Sequence, residues 1–259
     1  MKILVTGGTG TLGQSVVHQL LAQHHQVCVL SSQQNPSLPK GIHIFKGDLA
    51  ANAGLREATE NAAIIIHCAS NPKASQKTDI DGIHNLLGAI EKNRAQHFIY
   101  ISIVDVDKST YPYYGSKRTV EKIIAESGIP YSILRTTQFH NLVLNIIQQF
   151  TSNSNNRIIQ IPQGMRFQSI DVNEVASLLI ELVKTAPAGL LPNAGGPQVL
   201  TFEEMAQAYL DVFKRTDVLQ PMPVEGERFD LFRSGINLCP ENVCGHITWE
   251  AFLHYQFDN

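Results

Sequence analysis

The first thirteen residues constrain the fold more than any other stretch. Lys2-Ile3-Leu4-Val5-Thr6 is a short apolar, strand-like run, and Gly7-Gly8-Thr9-Gly10-Thr11-Leu12-Gly13 follows it directly. From Leu12 an apolar stripe of helical period begins, through Val16, Val17, Leu20 and Leu21. A turn that passes this abruptly from strand to helix needs a residue free to take positive φ, a backbone that a pyrophosphate can approach, and a Cβ-free contact between helix and sheet. Gly7, Gly10 and Gly13 suit those three tasks. The first helical amides, at Thr11, Leu12 and Gly13, lie at the positive end of the helix dipole and form an anion site, to which the Thr9 and Thr11 hydroxyls add donors. A glycine triplet alone says little, but between an N-terminal strand and a helix it points to a dinucleotide.

The rest of the N-terminal half repeats the same alternation. Strands are expected at Lys2-Thr6, Gln26-Ser31, Ile42-Lys46, Ala63-Cys68, His97-Ser102 and Tyr131-Arg135. Most are continuously apolar, as strands covered on both faces should be. Ile80, Ile83, Leu86, Leu87 and Ile90 mark a second helical stripe. The expected class is α/β, a doubly wound parallel sheet with a smaller C-terminal subdomain. After Arg135 the spacing predicts a helix over Phe139-Phe150, an exposed loop over Thr151-Asn156, strand-like runs at Arg157-Ile161 and Met165-Ile170, and a helix capped by Asp171. Thr201 with Glu204 is a capping-box pattern opening a helix over Phe202-Lys214, and a last helix covers Trp249-Tyr255. Residues 1–150 are assigned to the dinucleotide domain, completed near 165–184, and residues 151–259 to an interleaved substrate-side region.

The end of the second strand decides which dinucleotide is taken, because an acid there holds a ribose 2′-hydroxyl and an arginine pairs a 2′-phosphate. This chain has Leu30-Ser31-Ser32-Gln33-Gln34, with neither. The Ser31 and Ser32 hydroxyls, with Lys40 nearby, tilt the expectation towards NADP over NAD. Asp48 and Leu49 follow the third strand where an adenine would lie, although Asp48 also suits a turn cap. Ala69 and Ser70 follow the fourth strand, small enough to admit a ribose. Tyr113 and Lys117 stand four apart on one helix, which brings an ammonium near a phenol and favours its phenolate. Ser102 closes the fifth strand on the same sheet edge, where its hydroxyl can orient a carbonyl or alcohol oxygen. Tyr113, Lys117 and Ser102 are thus the candidate catalytic residues, with Lys117 also expected to touch the cofactor.

Composition excludes several alternatives. Of 259 residues, 17% are charged and 43% hydrophobic, which rules out wholesale disorder, collagen and coiled coil. A net charge of −3 without a basic block leaves no footprint for nucleic acid or anionic lipid, so a small-molecule substrate is expected. No apolar run approaches the roughly 18 residues that span a bilayer, and a cytoplasmic location is expected. The four cysteines, Cys28, Cys68, Cys239 and Cys244, lack zinc spacing, and no metal is expected.

Taken together, these motifs resemble the short-chain dehydrogenase/reductase superfamily, within its atypical, NmrA-like NAD(P)-binding branch. Besides Thr6-Gly13, Gly47-Asp48-Leu49 and Tyr113 to Lys117, the resemblance rests on Asp81-Gly82, Tyr100-Ile101-Ser102-Ile103, Leu134-Arg135 with Gln138-Phe139-His140, Phe167-Gln168-Ser169-Ile170-Asp171-Val172, Gly196-Pro197 before Leu200-Thr201, and Ile247-Thr248-Trp249-Glu250. It implies a Rossmann domain, bound NAD(P), and a C-terminal part that closes over the nicotinamide. In that setting Thr136 and Phe139 would meet the cofactor, and Gln138, Phe139 and His140 the substrate; for His140 a purely structural role fits equally. Many members of the branch carry arginine where this chain has Ser32 and Gln33. Two functions stand side by side: an NAD(P)-dependent oxidoreductase acting on a small carbonyl, alcohol or quinone-like compound, and a non-catalytic redox sensor that binds a protein partner. A nucleotide-sugar epimerase or dehydratase shares the tyrosine and lysine but usually has a larger substrate region.

Overall fold

The computed structural model describes residues 1–91, 95–152 and 157–258. The chain forms two compact units: Met1–Ser102, Pro112–Leu134 and Val175–Pro192 in the first, and Ile103–Tyr111, Arg135–Glu174 and Asn193–Asn259 in the second. Among the described residues, no helix is long and apolar enough to cross a membrane.

The central sheet contains β1 (Lys2–Thr6), β2 (Gln26–Ser31), β3 (His43–Lys46), β4 (Ile64–His67), β5 (His97–Ile103), β6 (Tyr131–Thr136) and, late in the chain, β9 (Gly189–Leu190). Its order is β3-β2-β1-β4-β5-β6-β9, a doubly wound parallel sheet. The winding reverses between β1 and β4, and the carboxyl ends of those two strands border the crevice where such sheets take ligands. The helices of this unit include α1 (Thr11–Ala22), α2 (Leu55–Thr59), α3 (Gly82–Ala89), α4 (Pro112–Glu126) and most of α6 (Val172–Val183). Leu4, Cys28, Leu30 and Ile65 pack in one cluster with Ile83 and Leu86 of α3 and with Val120 and Ile124 of α4. Alternate strand residues, Ile3, Val5, Val27, Val29 and Ile66, are equally buried on the opposite face. Burial on both faces is why these strands read as continuous apolar runs rather than alternating ones.

The expected helix that starts at Ile80 is preceded by a π-helical turn, Gln76–Asp81. Such widened turns occur often at functional sites, and this one carries a buried acid, Asp79.

The second unit is built on α5 (His140–Ser152), the paired strands β7 (Ile158–Pro162) and β11 (Val218–Met222), the pair β8 (Arg166–Phe167) and β10 (Leu200–Thr201), and the helices α7 (Phe202–Val212), α8 (Glu227–Ser234) and α9 (Trp249–Asp258). The loop expected over 151–156 falls partly on α5, which includes Thr151 and Ser152; residues 153–156 lie outside the described residues. Phe167 packs 4.6 Å from Phe232 and 6.0 Å from Phe202 between ring centroids, and forms the centre of an aromatic core. Gln168 holds two loops with one amide: its nitrogen donates to the carbonyls of Gly196 (2.9 Å) and Cys239 (3.1 Å), and its oxygen accepts from the Cys239 amide (2.7 Å).

The capping box of α7 forms as expected. The Thr201 hydroxyl accepts from the Glu204 amide and the Glu204 carboxylate from the Thr201 amide. Thr201→Ala leaves the Glu204 amide to water and should cost about 1 kcal/mol, read as a lower urea midpoint with an unchanged slope.

Candidate functional site

The glycine turn after β1 is held by contacts that admit no side chain. Gly7 has φ of +69°, and a Cβ on it would lie 2.5 Å from the Ala69 nitrogen. A Cβ on Gly13 would lie 2.0 Å from the Gly7 carbonyl oxygen. The Gly10 amide donates to that same oxygen at 2.9 Å and closes the turn. Gly10 then caps the twelve-residue α1, which has no side-chain cap and no acid in its first turn. Its leading amides are orphan donors by helix geometry, at a positive dipole end.

In front of the turn lies a cleft of about 550 Å³ whose walls include Gly7, Thr9 and Gly10, Ser31 and Ser32, Asp48 and Leu49, and Ala69 and Ser70. Thr11, Leu12 and Gly13 form the helix turn beside it and are not part of the wall. Gln33 and Cys68, which flank the expected residues at the ends of the second and fourth strands, also line it, as do Asn71 and Thr78, which the sequence did not single out. Donors and small residues at the crossover of a parallel sheet, with a Cβ-free turn, fit the phosphates and ribose of a dinucleotide. The Ser31 hydroxyl accepts from the Gln33 amide (3.2 Å), while Ser32 is exposed. Asp48 both lines the cleft and caps its own turn, with Oδ1 accepting from the amides of Ala50 (2.8 Å) and Ala51 (3.2 Å). Lys40 is exposed and is not part of the cleft wall.

One wall of the cleft leads to the tyrosine and lysine. The Tyr113 hydroxyl lies 2.8 Å from Ser70 Oγ, and Ser70 Oγ donates to Asp79 Oδ1 at 2.5 Å. The Asn71 amide donates to the other Asp79 oxygen at 3.0 Å. Lys117 Nζ stands 4.0 Å from Asp79, donates to the Ile101 carbonyl at 3.3 Å, and lies 4.8 Å from the Tyr100 ring centroid and 6.0 Å from that of Tyr113. Burial works against the Lys117 charge, but Tyr100, Tyr113 and Asp79 outweigh it and hold the ammonium above its ordinary value. Burial also raises the Tyr100 phenol, which therefore stays neutral. Ser102 Oγ is fully buried with no hydrogen-bond partner among the described residues, and the hydroxyl that reaches Tyr113 is Ser70's. Tyr114, the neighbour on the helix, is buried.

Asp79 is the member of this cluster that sequence reasoning missed. Its signal was positional, because Asp79 stands four before Ile83 and seven before Leu86 on a stripe that faces the core. An acid at a core-facing position must be paired, and here three donors surround it.

The residues following β6 lie in the second unit. Thr136 forms a backbone bridge with Ala194, and Phe139, half-buried, bridges with Ile170. Gln138 is buried, its side-chain oxygen accepting from Asn237 at 3.2 Å. His140 is 1% exposed: Nε2 donates to the Ile247 carbonyl (3.0 Å), so the neutral ring accepts the Ser169 hydroxyl at Nδ1 (2.7 Å). Burial lowers its pKa. Both ring nitrogens are thereby engaged inside the unit.

A second buried histidine, His67 at the end of β4, bonds Thr6 Oγ1 at 2.7 Å and stacks on Tyr100. Burial, with the Lys117 charge, pushes its pKa down to about 3. A folded-state pKa below the unfolded value of about 6.5 means stability is intact above that pH and declines as pH falls towards 3, at up to about 1.4 kcal/mol per unit. His67→Gln should flatten that decline, as measured by urea unfolding between pH 7 and pH 4. Gly13→Ala should weaken NADH binding about tenfold or more, read by fluorescence quenching, with circular dichroism separating lost binding from lost fold.

Known proteins give the family and the fold. A family model described as NAD(P)H-binding matches residues 7–186. The photosystem II assembly factor Ycf39 of Synechocystis is 32% identical over 148 residues, covering 54% of this chain and 45% of that protein. Its counterpart in Cyanophora paradoxa is 30% identical over 147 residues, covering 54% and 46%. The chain therefore spans about half the length of these curated relatives. The human sterol-4-alpha-carboxylate 3-dehydrogenase, decarboxylating, is 37% identical over 87 residues, 34% of this chain and 23% of that protein. Among solved structures, the UDP-glucose 4-epimerase of Thermus thermophilus in complex with NAD has the same fold, with a TM-score of 0.79 at 18% identity over 100% of this chain and 98% of that one. With the family model covering residues 7–186, the chain belongs to the NAD(P)H-binding family of atypical, NmrA-like short-chain dehydrogenase/reductase proteins.

Proposed function

We propose that this protein is an NAD(P)-dependent oxidoreductase that transfers hydride to or from a small carbonyl, alcohol or quinone-like substrate. The observation that carries this is the position of Ser70, which both lines the cleft and meets the Tyr113 hydroxyl at 2.8 Å, so the dinucleotide cleft and a titratable phenol share a wall. When bound, the nicotinamide supplies the hydride acceptor or donor. The chain's own residues do the rest. The amides at the head of α1 take the phosphates, Asp48 and Leu49 border the adenosine side, Tyr113 exchanges the proton of the substrate oxygen, and the Lys117 ammonium sets the local field. NADP is the proposed cofactor over NAD, since Ser31, Ser32 and Gln33 offer donors and no acid at the second strand's end.

The likeness to Ycf39, an assembly factor, favours a second reading: a non-catalytic dinucleotide sensor with a protein partner. Replacing one oxygen separates the two. For an oxidoreductase, Tyr113→Phe should lower turnover with a quinone or carbonyl panel about 100-fold or more while the affinity for NADPH persists. Unchanged turnover, or none in the parent protein alongside tight cofactor binding, would favour the sensor. Parallel fluorescence titrations with NADH and NADPH measure the cofactor preference. Ser32→Arg, which offers a guanidinium to a 2′-phosphate, should tighten NADPH about tenfold relative to NADH.

A further inference from the structure

The hydrogen bond between Tyr113 and Ser70 has a direction that the surrounding groups dictate. A serine hydroxyl has one proton to give. Ser70 gives it to Asp79 Oδ1 at 2.5 Å, and the Lys117 ammonium stands 4.0 Å from that same oxygen. At the 2.8 Å contact the donor must therefore be the Tyr113 phenol, with Ser70 Oγ accepting. The same contact works against a phenolate, because a deprotonated Tyr113 would receive no proton from Ser70 and would stand two hydrogen-bond lengths from a carboxylate.

We propose that Ser70 and Asp79 are positioning residues that hold Tyr113 in its protonated form, ready to give that proton to the oxygen of an arriving carbonyl. This rests on the oxidoreductase reading for its catalytic meaning, and it names the substrate class within that reading. Among the described residues, three bear on the phenol. Lys117, one turn along the same helix, favours the phenolate; Asp79, from the π-helical turn, opposes it; Tyr100, from β5, is neutral and adds no charge. Lys117 is itself paired to Asp79, so its pull on the phenol is divided. A carbonyl oxygen arriving at Tyr113 replaces Ser70 as acceptor, and the proton passes from Tyr113 Oη to that oxygen as the carbonyl carbon is reduced by hydride. The phenolate left behind is the species that Lys117 then stabilises.

The test needs neither cofactor nor substrate. Protein carrying ¹³Cζ-labelled tyrosine is titrated by NMR, with Tyr113→Phe used to assign the Tyr113 signal, and the ionisation midpoint is compared among variants. Asp79→Asn removes the opposing charge and lets the amide donate to Ser70, so the midpoint should fall by about one pH unit or more. Ser70→Ala, a small change that spares the fold if Asp79→Asn does not, should also lower it, and Ser70→Thr, which keeps the hydroxyl, should restore the parent value. Midpoints that stay put or rise in both Asp79→Asn and Ser70→Ala would overturn the proposal, as would a fall in Ser70→Ala that Ser70→Thr fails to reverse. Because the readout is independent of turnover, an inactive protein with shifted midpoints would sink the oxidoreductase reading and leave the protonation lock standing.

Discussion

The contact between Gly13 and the Gly7 carbonyl oxygen is the constraint on which the rest of the first unit hangs. With room there for a hydrogen and nothing larger, α1 can begin immediately after β1, and its amide end faces the crevice at the winding reversal. A strand-to-helix turn one carbon wider would tilt α1 away from the sheet. The buried stripe of Val16, Val17 and Leu20 would then lose its place over β1 and β2, and the anion site would lose its aim. Local backbone sterics, core packing and ligand recognition are thus set by one interatomic distance.

A second constraint is electrostatic. Asp79 and Lys117 are both almost fully buried, and a buried ion pair repays its desolvation only when hydrogen bonds complete it. Here Ser70, the Asn71 amide and the Ile101 carbonyl complete it. These partners come from the loop after β4 and from β5, while Asp79 stands on the π-helical turn and Lys117 on α4, so the pair ties together four segments around the phenol.

Much of the first unit was legible because its physics is local and periodic. β1 and β2 match their expected bounds, and in the second unit the capping box at Thr201 is a short-range signal that survives in the fold. Other elements were not legible, each for a physical reason. β9 is two residues long, and β11 contains Pro221, which suits a two-stranded pairing but reads as a break. α8, Glu-Arg-Phe-Asp-Leu-Phe-Arg-Ser, is largely polar and is defined by two buried residues, Leu231 and Phe232. At the candidate site, the cleft-facing residues followed from the strand ends, because topology places every carboxyl end on one edge. The partner of Tyr113 did not follow. Ser70 meets the phenol through a contact between positions 43 residues apart, and such pairings leave no periodic trace.

The interleaving of the two units has a consequence for biosynthesis. β6 is made by residue 136, but its neighbour β9 does not emerge until residues 189–190, after the whole of Arg135–Glu174 has been made for the other unit. Until then β6 is an unprotected sheet edge of the kind that templates pairing with other chains. A nascent chain must carry that exposed edge for more than fifty residues of elongation. At ordinary synthesis rates this is a window of roughly several seconds, and the two-residue β9 is the piece that pairs with β6 at its end.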